Sequence, residues 1–153
     1  NMLKKAKKKI KYVSYRFGTI SGVSRGMRFH TAVNKFCLDA SLDRPITVYK
    51  TALNQYRPYL SLKDAFKLFK QTIEKDLFKN DIFNALSENC TVNQVIKKIK
   101  KYKKRIKIKF VSSQIMNQLS YHVDKTKLNN EGIRLKSKIE NDIKDTIKIL
   151  NNI

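Results

Sequence analysis

The spacing of apolar positions changes several times along the 153 residues, and each change marks an element. Residues 12–17, YVSYRF, are rich in β-branched and aromatic side chains, stop at Gly18 and predict a strand. Gly18, Gly22 and Gly26, three of the chain's four glycines, come next and predict a tightly turned loop. From 27 to 42 the positions Phe29, Val33, Phe36, Cys37 and Ala40 share one face of a helix, with Pro45 beyond its end. Residues 46–49 read as a short strand. Over 61–78 a helix is expected, opened by a capping pattern of Ser61 with Asp64 and carrying the stripe Ala65, Phe69, Ile73 and Leu77. Residues 81–86 read as a strand. Thr91 then caps a helix in which Val92, Val95, Ile96, Ile99 and Tyr102 keep the helical step. At Ile106 the period drops to two, Ile106, Ile108 and Phe110 alternating with Lys107 and Lys109. Ile139, Ile143, Ile147 and Leu150 mark a last helix, and residues 3–9 suit the tail of a first one.

Helices and strands alternate throughout, so the class is α/β, in one region spanning 1–153 with no internal repeat and no disordered linker. A hydrophobic content of 41% and an aromatic content of 10% suit a packed core. The formal net charge of +22 has two readings. One is a polyanion partner. The other is compositional drift, because lysine greatly outnumbers arginine and stands beside abundant Asn and Ile, whereas phosphate readers draw on arginine's fork. The lysines between 97 and 109 keep an amphipathic order, which places them on solvated faces and favours drift.

Cys37 and Cys90 stand alone, outside any CxxC or Cys/His cluster, as expected of buried thiols in a reduced cytoplasmic protein. No apolar run is long enough to span a bilayer, so no membrane role is expected. The basic N-terminal stretch NMLKKAKKKIKYVSYRFG lacks the apolar centre of a signal peptide. A chain that opens on Asn1 reads as a piece of something longer.

Strand, then GTISGVSRG, then helix is the layout of a dinucleotide-binding turn, but Thr19 and Val23-Ser24 stand where G-x-G-x-x-G needs glycine. The strand after it ends in Tyr49-Lys50 and not in an acid that would hold a ribose. Tyr59…Lys63 and Tyr121…Lys125 have Tyr-x-x-x-Lys spacing, in which a lysine lowers a catalytic tyrosine's pKa. In so lysine-rich a chain with seven tyrosines, about one such match arises by chance. His30 and His122 lack an evident partner, and Asp64, Asp81 and Asp124 sit at element starts, where capping is the ordinary role. Arg57 is different. On an extended stretch before a helix, braced by Pro58 and Tyr59, its guanidinium can offer two N–H groups to a diphosphate. A plain turn arginine fits the spacing equally well.

The stretches YVSYRFGTISGVSRGMRFHTAVNKF and PITVYKTALNQYRPYLSLKDA, in this order, resemble the second half of an extended short-chain dehydrogenase/reductase of the NAD-dependent nucleotide-sugar epimerase/dehydratase family. The family's arginine setting, R-x-Y/F-x-x-x-x-D-A, is matched by Arg57, Tyr59, Asp64 and Ala65. Asp124, Lys127, Leu128 and Gly132 before a last helix are similar to its closing segment, so the resemblance runs over nearly the whole chain.

The resemblance implies a C-terminal, substrate-binding part of that fold, lacking most of the N-terminal dinucleotide-binding sheet. It implies that Arg57 clasps the diphosphate of a nucleotide-diphosphate sugar. Thr19 and Ile20 would lie toward the nicotinamide of NAD, Phe29, His30 and Asn34 toward the sugar nucleotide, and Tyr49 toward the base. Lys50 departs from the glycine common in the family, and Tyr121-His122 occupy the neighbourhood of a second phosphate-binding arginine. The family's Gly-rich turn and catalytic Ser/Thr have no match, and Tyr59 and Tyr121 lie in the wrong segments to stand for its Tyr-x-x-x-Lys pair. The chain alone is therefore expected to hold no NAD, to catalyse nothing, and to expose apolar surface toward an N-terminal nucleotide-binding half. A rival reading is a small basic, ribosomal-type RNA-binding protein of α/β class.

Overall fold

The computed structural model of the chain describes residues 10–112 and 120–152. The helix tail expected over 3–9 lies outside them. In chain order the elements are β1 (Val13–Phe17), β2 (Thr19–Ser21), α1 (Ala32–Ser41), β3 (Ile46–Tyr49), β4 (Tyr56–Ser61), α2 (Leu62–Glu74), β5 (Asp81–Ala85), β6 (Glu88–Thr91), α3 (Val92–Lys100), β7 (Ile108–Val111), α4 (Thr126–Asn130) and α5 (Ile139–Leu150). β1 runs parallel to β5, β2 parallel to β4, and β3 parallel to β7, while β4 also pairs antiparallel with β6. Parallel partners joined through helices confirm the α/β class.

Two apolar clusters form the core. One gathers Val33 and Cys37 of α1, Val48 of β3, Ile99 of α3 and Ile143 of α5. The other places Leu68 of α2 and Phe83 of β5 against Leu128, Ile133 and Leu135. Fully burying one such aliphatic or aromatic side chain is worth about 1.5–3 kcal/mol.

Local signals explain where elements begin and end. Thr91 caps α3 as expected, and with Gln94 it forms a reciprocal capping box. The helix expected from residue 27 begins only at Ala32, because Thr31 is extended and Asn34 Nδ2 donates to Arg28 O at 3.0 Å, holding the approach as a loop. The helix expected to reach residue 78 stops at Glu74. There Asp76 takes a φ of 47°, and the Asp76 and Leu77 amides return to Ile73 O and Thr72 O, the pattern of a Schellman stop. Part of the expected glycine loop is instead the strand β2.

The face and cap of α2 also differ from expectation. Ala65, Leu68 and Thr72 point inward together with Asp64, whereas Phe69 and Ile73 are 51% and 70% exposed. Ser61 and Asp64 form no capping pair. Ser61 Oγ donates to Asp142 Oδ1 at 2.8 Å, and Asp64 accepts from Ser87 Oγ and from the amide and hydroxyl of Ser137. Partners distant in sequence have captured both side chains.

Candidate functional site

A cleft of about 430 Å³ opens between the segment after β2 and the start of α1. It brings together Thr19, Ile20, His30 and Asn34 of the expected site residues. Arg28, Thr31 and Leu62 join them and were not foreseen; a helix start read at residue 27 hid the role of Thr31. Phe29, Tyr49 and Arg57 are not in the lining. Phe29 is half-buried, and Tyr49 is exposed at the end of β3.

The wall at α1 has the character of a ligand site. The Thr31 side chain makes no capping bond and the first turn carries no acid. A helix N-terminus leaves its first N–H groups without intrahelical partners and carries partial positive charge. Thr31 Oγ1 and Asn34 Oδ1 are buried and have no hydrogen-bond partner among the described residues. Buried polar atoms are normally paired, so these two leave hydrogen-bonding capacity unused beside the cleft. With Arg28 beside them, the wall fits an anionic ligand that also carries hydroxyl groups.

The opposite wall is fixed from below. Ser21 Oγ and Ser61 Oγ, at the ends of the paired strands β2 and β4, donate to the two oxygens of Asp142 at 2.7 and 2.8 Å. Burial pushes the Asp142 pKa up, and the two serine bonds oppose that only in part. Gly22 sits at a φ of 120° directly above this carboxylate, a conformation that favours glycine. Gly18 has another reason. A Cβ there would come within 2.9 Å of the Pro58 carbonyl, so glycine lets the strand pass against β4. That space is filled by protein backbone. The residues present do not fit an NAD pyrophosphate at Gly18.

Arg57 lies on β4, two residues before Tyr59, which is in register with Thr19 of the cleft. Its guanidinium donates to Tyr56 O and Gln55 Oε1 and stands 5.2 Å from the centre of the Tyr121 ring. The surrounding surface includes His122, whose ring meets Tyr56 edge to face.

Neither Tyr-x-x-x-Lys spacing forms a proton-transfer pair. Tyr59 is buried in the core, and burial pushes its pKa up to about 12, while Lys63 faces Asp145. Lys125 spends its ammonium on three backbone carbonyls, those of Leu86, Ser87 and Leu135. Asp124 accepts from the amide and hydroxyl of Thr126 in a local turn, while Lys125 holds the N-cap position of α4 without a side-chain cap, and Asp81 pairs with Lys127. No group of three or more His, Cys, Asp or Glu side chains suited to a metal ion occurs among the described residues. Among the same residues no helix is long and apolar enough to cross a membrane.

No protein-family model matches the chain. Solved structures do. UDP-glucose 4-epimerase of Thermus thermophilus, in complex with NAD, superposes with a TM-score of 0.76 at 18% identity, over 97% of this chain and 50% of that one. UDP-N-acetylglucosamine 4-epimerase of Methanobrevibacter ruminantium, in complex with UDP-N-acetylmuramic acid, gives 0.79 at 18% identity over 99% and 51%. UDP-glucuronic acid 4-epimerase of Bacillus cereus, in complex with UDP-glucuronic acid and NAD, gives 0.77 at 16% identity over 99% and 49%. The chain spans about half the length of these structures. Identities this low speak to the fold: the chain has the α/β fold of part of an extended short-chain dehydrogenase/reductase, of the kind found in NAD-dependent nucleotide-sugar epimerases.

Proposed function

We propose that this chain is the C-terminal, substrate-binding portion of an NAD-dependent nucleotide-sugar epimerase or dehydratase, and that it catalyses nothing in isolation. The observation that carries this reading is the cleft at α1. Its helix N-terminus is uncapped by Thr31, and two buried acceptors, Thr31 Oγ1 and Asn34 Oδ1, have no partner among the described residues. Support comes from the shared fold and from the UDP-sugars held by relatives of that fold.

In this reading the α1 amides and Arg28 hold phosphate oxygens, and Thr31 and Asn34 accept from hydroxyls of the bound molecule. Arg57 on β4 and Tyr49, both outside the cleft lining, would meet the diphosphate and the base where the bound nucleotide extends beyond the cleft. Phe29 and His30 border the sugar nucleotide, with Thr19 and Ile20 at its far end. The chain's own residues bind and orient. Hydride transfer between sugar and NAD is the chemistry of the complete enzyme, with the Gly-rich turn and catalytic tyrosine supplied by an N-terminal nucleotide-binding half.

The test is calorimetric titration of UDP-glucose into the chain, its Asn34→Ala variant and its Arg57→Ala variant. Each substitution is expected to weaken binding at least about tenfold, the loss of one or two hydrogen bonds to a charged ligand. Unchanged affinity in both variants would overturn the assignment.

A further inference from the structure

The α1 cleft has two walls, and one helix touches both. Ile139, Ile143 and Ile147 of α5 pack with Val33, Phe36 and Cys37 of α1 in one apolar cluster. From the same helix Asp142 holds Ser21 Oγ and Ser61 Oγ at 2.7 and 2.8 Å. These serines are register partners, the last residues of β2 and β4. Each is followed directly by a residue of the cleft lining, Gly22 and Leu62. α5 therefore sets the spacing between the α1 wall and the strand wall, and on the strand side the hydrogen bonds of one carboxyl group carry it.

That carboxyl group is buried together with both serines. Facing it are Lys63 of α2, Asp145 one turn on along α5, and the Cys37 thiol of α1. The Lys63 ammonium lies 3.7 Å from Asp145, and among the described residues no ammonium or guanidinium bonds to Asp142. Asp145 opposes a second charge at its side, and the thiol, pushed up to about 12, stays neutral. The lysines of α3 that reach α5, Lys98 and Lys101, pair with Glu140. β2 and β4 face the carboxyl with the two hydroxyls. The neutral acid suits these surroundings.

An ionised Asp142 calls for water, because a buried charge without a counter-charge is costly. A second cavity, of about 560 Å³, shares Gly22 and Leu62 with the cleft and adds Val23, Phe66, Asp142 and Asp145. Gly22 lies over the carboxyl group, since a Cβ added there would stand 3.4 Å from Asp142 Oδ1. Water that hydrates the charge enters from this cavity, past Gly22 and Leu62. Ionisation thus displaces residues that also shape the cleft.

We propose that Asp142 is a positioning residue for the cleft, holding Gly22 and Leu62 in place through Ser21 and Ser61, and that ligand binds best while Asp142 keeps its proton. This deepens the function proposed above and rests on it. Linkage fixes the sign: affinity is greatest at low pH and falls as pH rises through the titration of Asp142. Charge acts in the same sense, because an ionised carboxylate beside the cleft repels an anionic nucleotide.

The test is calorimetric titration of UDP-glucose into wild type and Asp142→Asn from about pH 5 to about pH 8. The wild-type affinity divided by that of the variant is expected to fall at least about fivefold across this range. His30 is common to both proteins, so its contribution cancels in the ratio. A ligand-free arm follows amide exchange over residues 22–27, corrected for its intrinsic pH dependence. Exchange there is expected to quicken as Asp142 ionises in wild type and not in the variant, beyond any change at Val48, which reports global opening. A purely structural Asp142 would move the melting temperature and leave the affinity ratio flat. A flat ratio, or exchange over 22–27 that merely follows Val48, would overturn the inference. UDP-glucose binding with a flat ratio removes this inference and keeps the ligand assignment. Failure of both proteins to bind UDP-glucose at any pH removes the ligand assignment, and the exchange arm then decides whether Asp142 positions the wall.

Discussion

Asp142 Oδ2 accepts a hydrogen bond of 2.7 Å from Ser21 Oγ, tying the last residue of β2 to the last helix across 121 positions of sequence. The other oxygen takes Ser61 Oγ, the residue at which β4 becomes α2. One buried carboxylate thus fixes the ends of two neighbouring strands and the floor under Gly22. Asp142→Ala leaves two buried hydroxyls without their acceptor and is expected to cost about 3 kcal/mol of stability. Urea denaturation measures it, and a loss below about 1 kcal/mol would show that the site relaxes around the gap.

The same carboxylate predicts a pH effect with a definite sign. Its pKa is raised by burial, so between the unfolded and folded values the folded chain keeps a proton that the unfolded chain has released. Its contribution to stability is complete below the unfolded pKa and is lost as pH rises through the folded pKa. Asp81, Asp124 and Glu140 have lowered pKa values and act in the opposite sense, so the comparison must isolate Asp142. Thermal melts of wild type and Asp142→Asn from about pH 4 to about pH 8 should show the variant gaining on wild type as pH rises. Curves that stay parallel would remove the effect.

Lys125 is a structural residue. Lys125→Met keeps the aliphatic stem, strands three carbonyls that now receive a proton, and is expected to destabilise by about 2–3 kcal/mol. Tyr121→Phe removes only the hydroxyl of an exposed ring and is expected to change stability by less than about 0.5 kcal/mol. Equal losses in the two variants would mean that the tyrosine and lysine act as a unit after all.

The α/β alternation, β3 and the final helix were legible from the apolar period, and α3 because period and cap agree. The limits and inward face of α2 were not. The stripe read from the sequence, Ala65, Phe69, Ile73 and Leu77, mixes two faces: Ala65 and Leu77 are buried while Phe69 and Ile73 are exposed. The buried face of the helix is Ala65, Leu68 and Thr72, and period alone cannot rank the two. Serine and aspartate at 61 and 64 satisfied a local capping rule, yet the fold offered each a partner far along the chain. In the candidate site, Thr19, Ile20, His30 and Asn34 were legible through resemblance. Thr31 was not, because its importance depends on where α1 begins. Spacing likewise could not tell that Tyr49 and Arg57 emerge outside the cleft.

Both cysteines are buried free thiols, and burial pushes each pKa up to about 12. A protonated, enclosed thiol is a poor nucleophile. A thiol-specific disulfide reagent should therefore leave Cys37 and Cys90 untouched in the folded chain and modify both in denaturant. Rapid labelling of the native chain would contradict the packing around α1 and β6.

The central claim is that ligand binding resides in the cleft at α1 and not in the basic surface as a whole. Amide chemical-shift mapping with UDP-glucose tests it most directly. The account predicts shifts concentrated at Thr19, Ile20, Thr31 and Asn34 and at the first turn of α1, persisting at raised salt. Shifts spread over the lysines between 97 and 109 that vanish as salt increases would identify a general polyanion surface and contradict it.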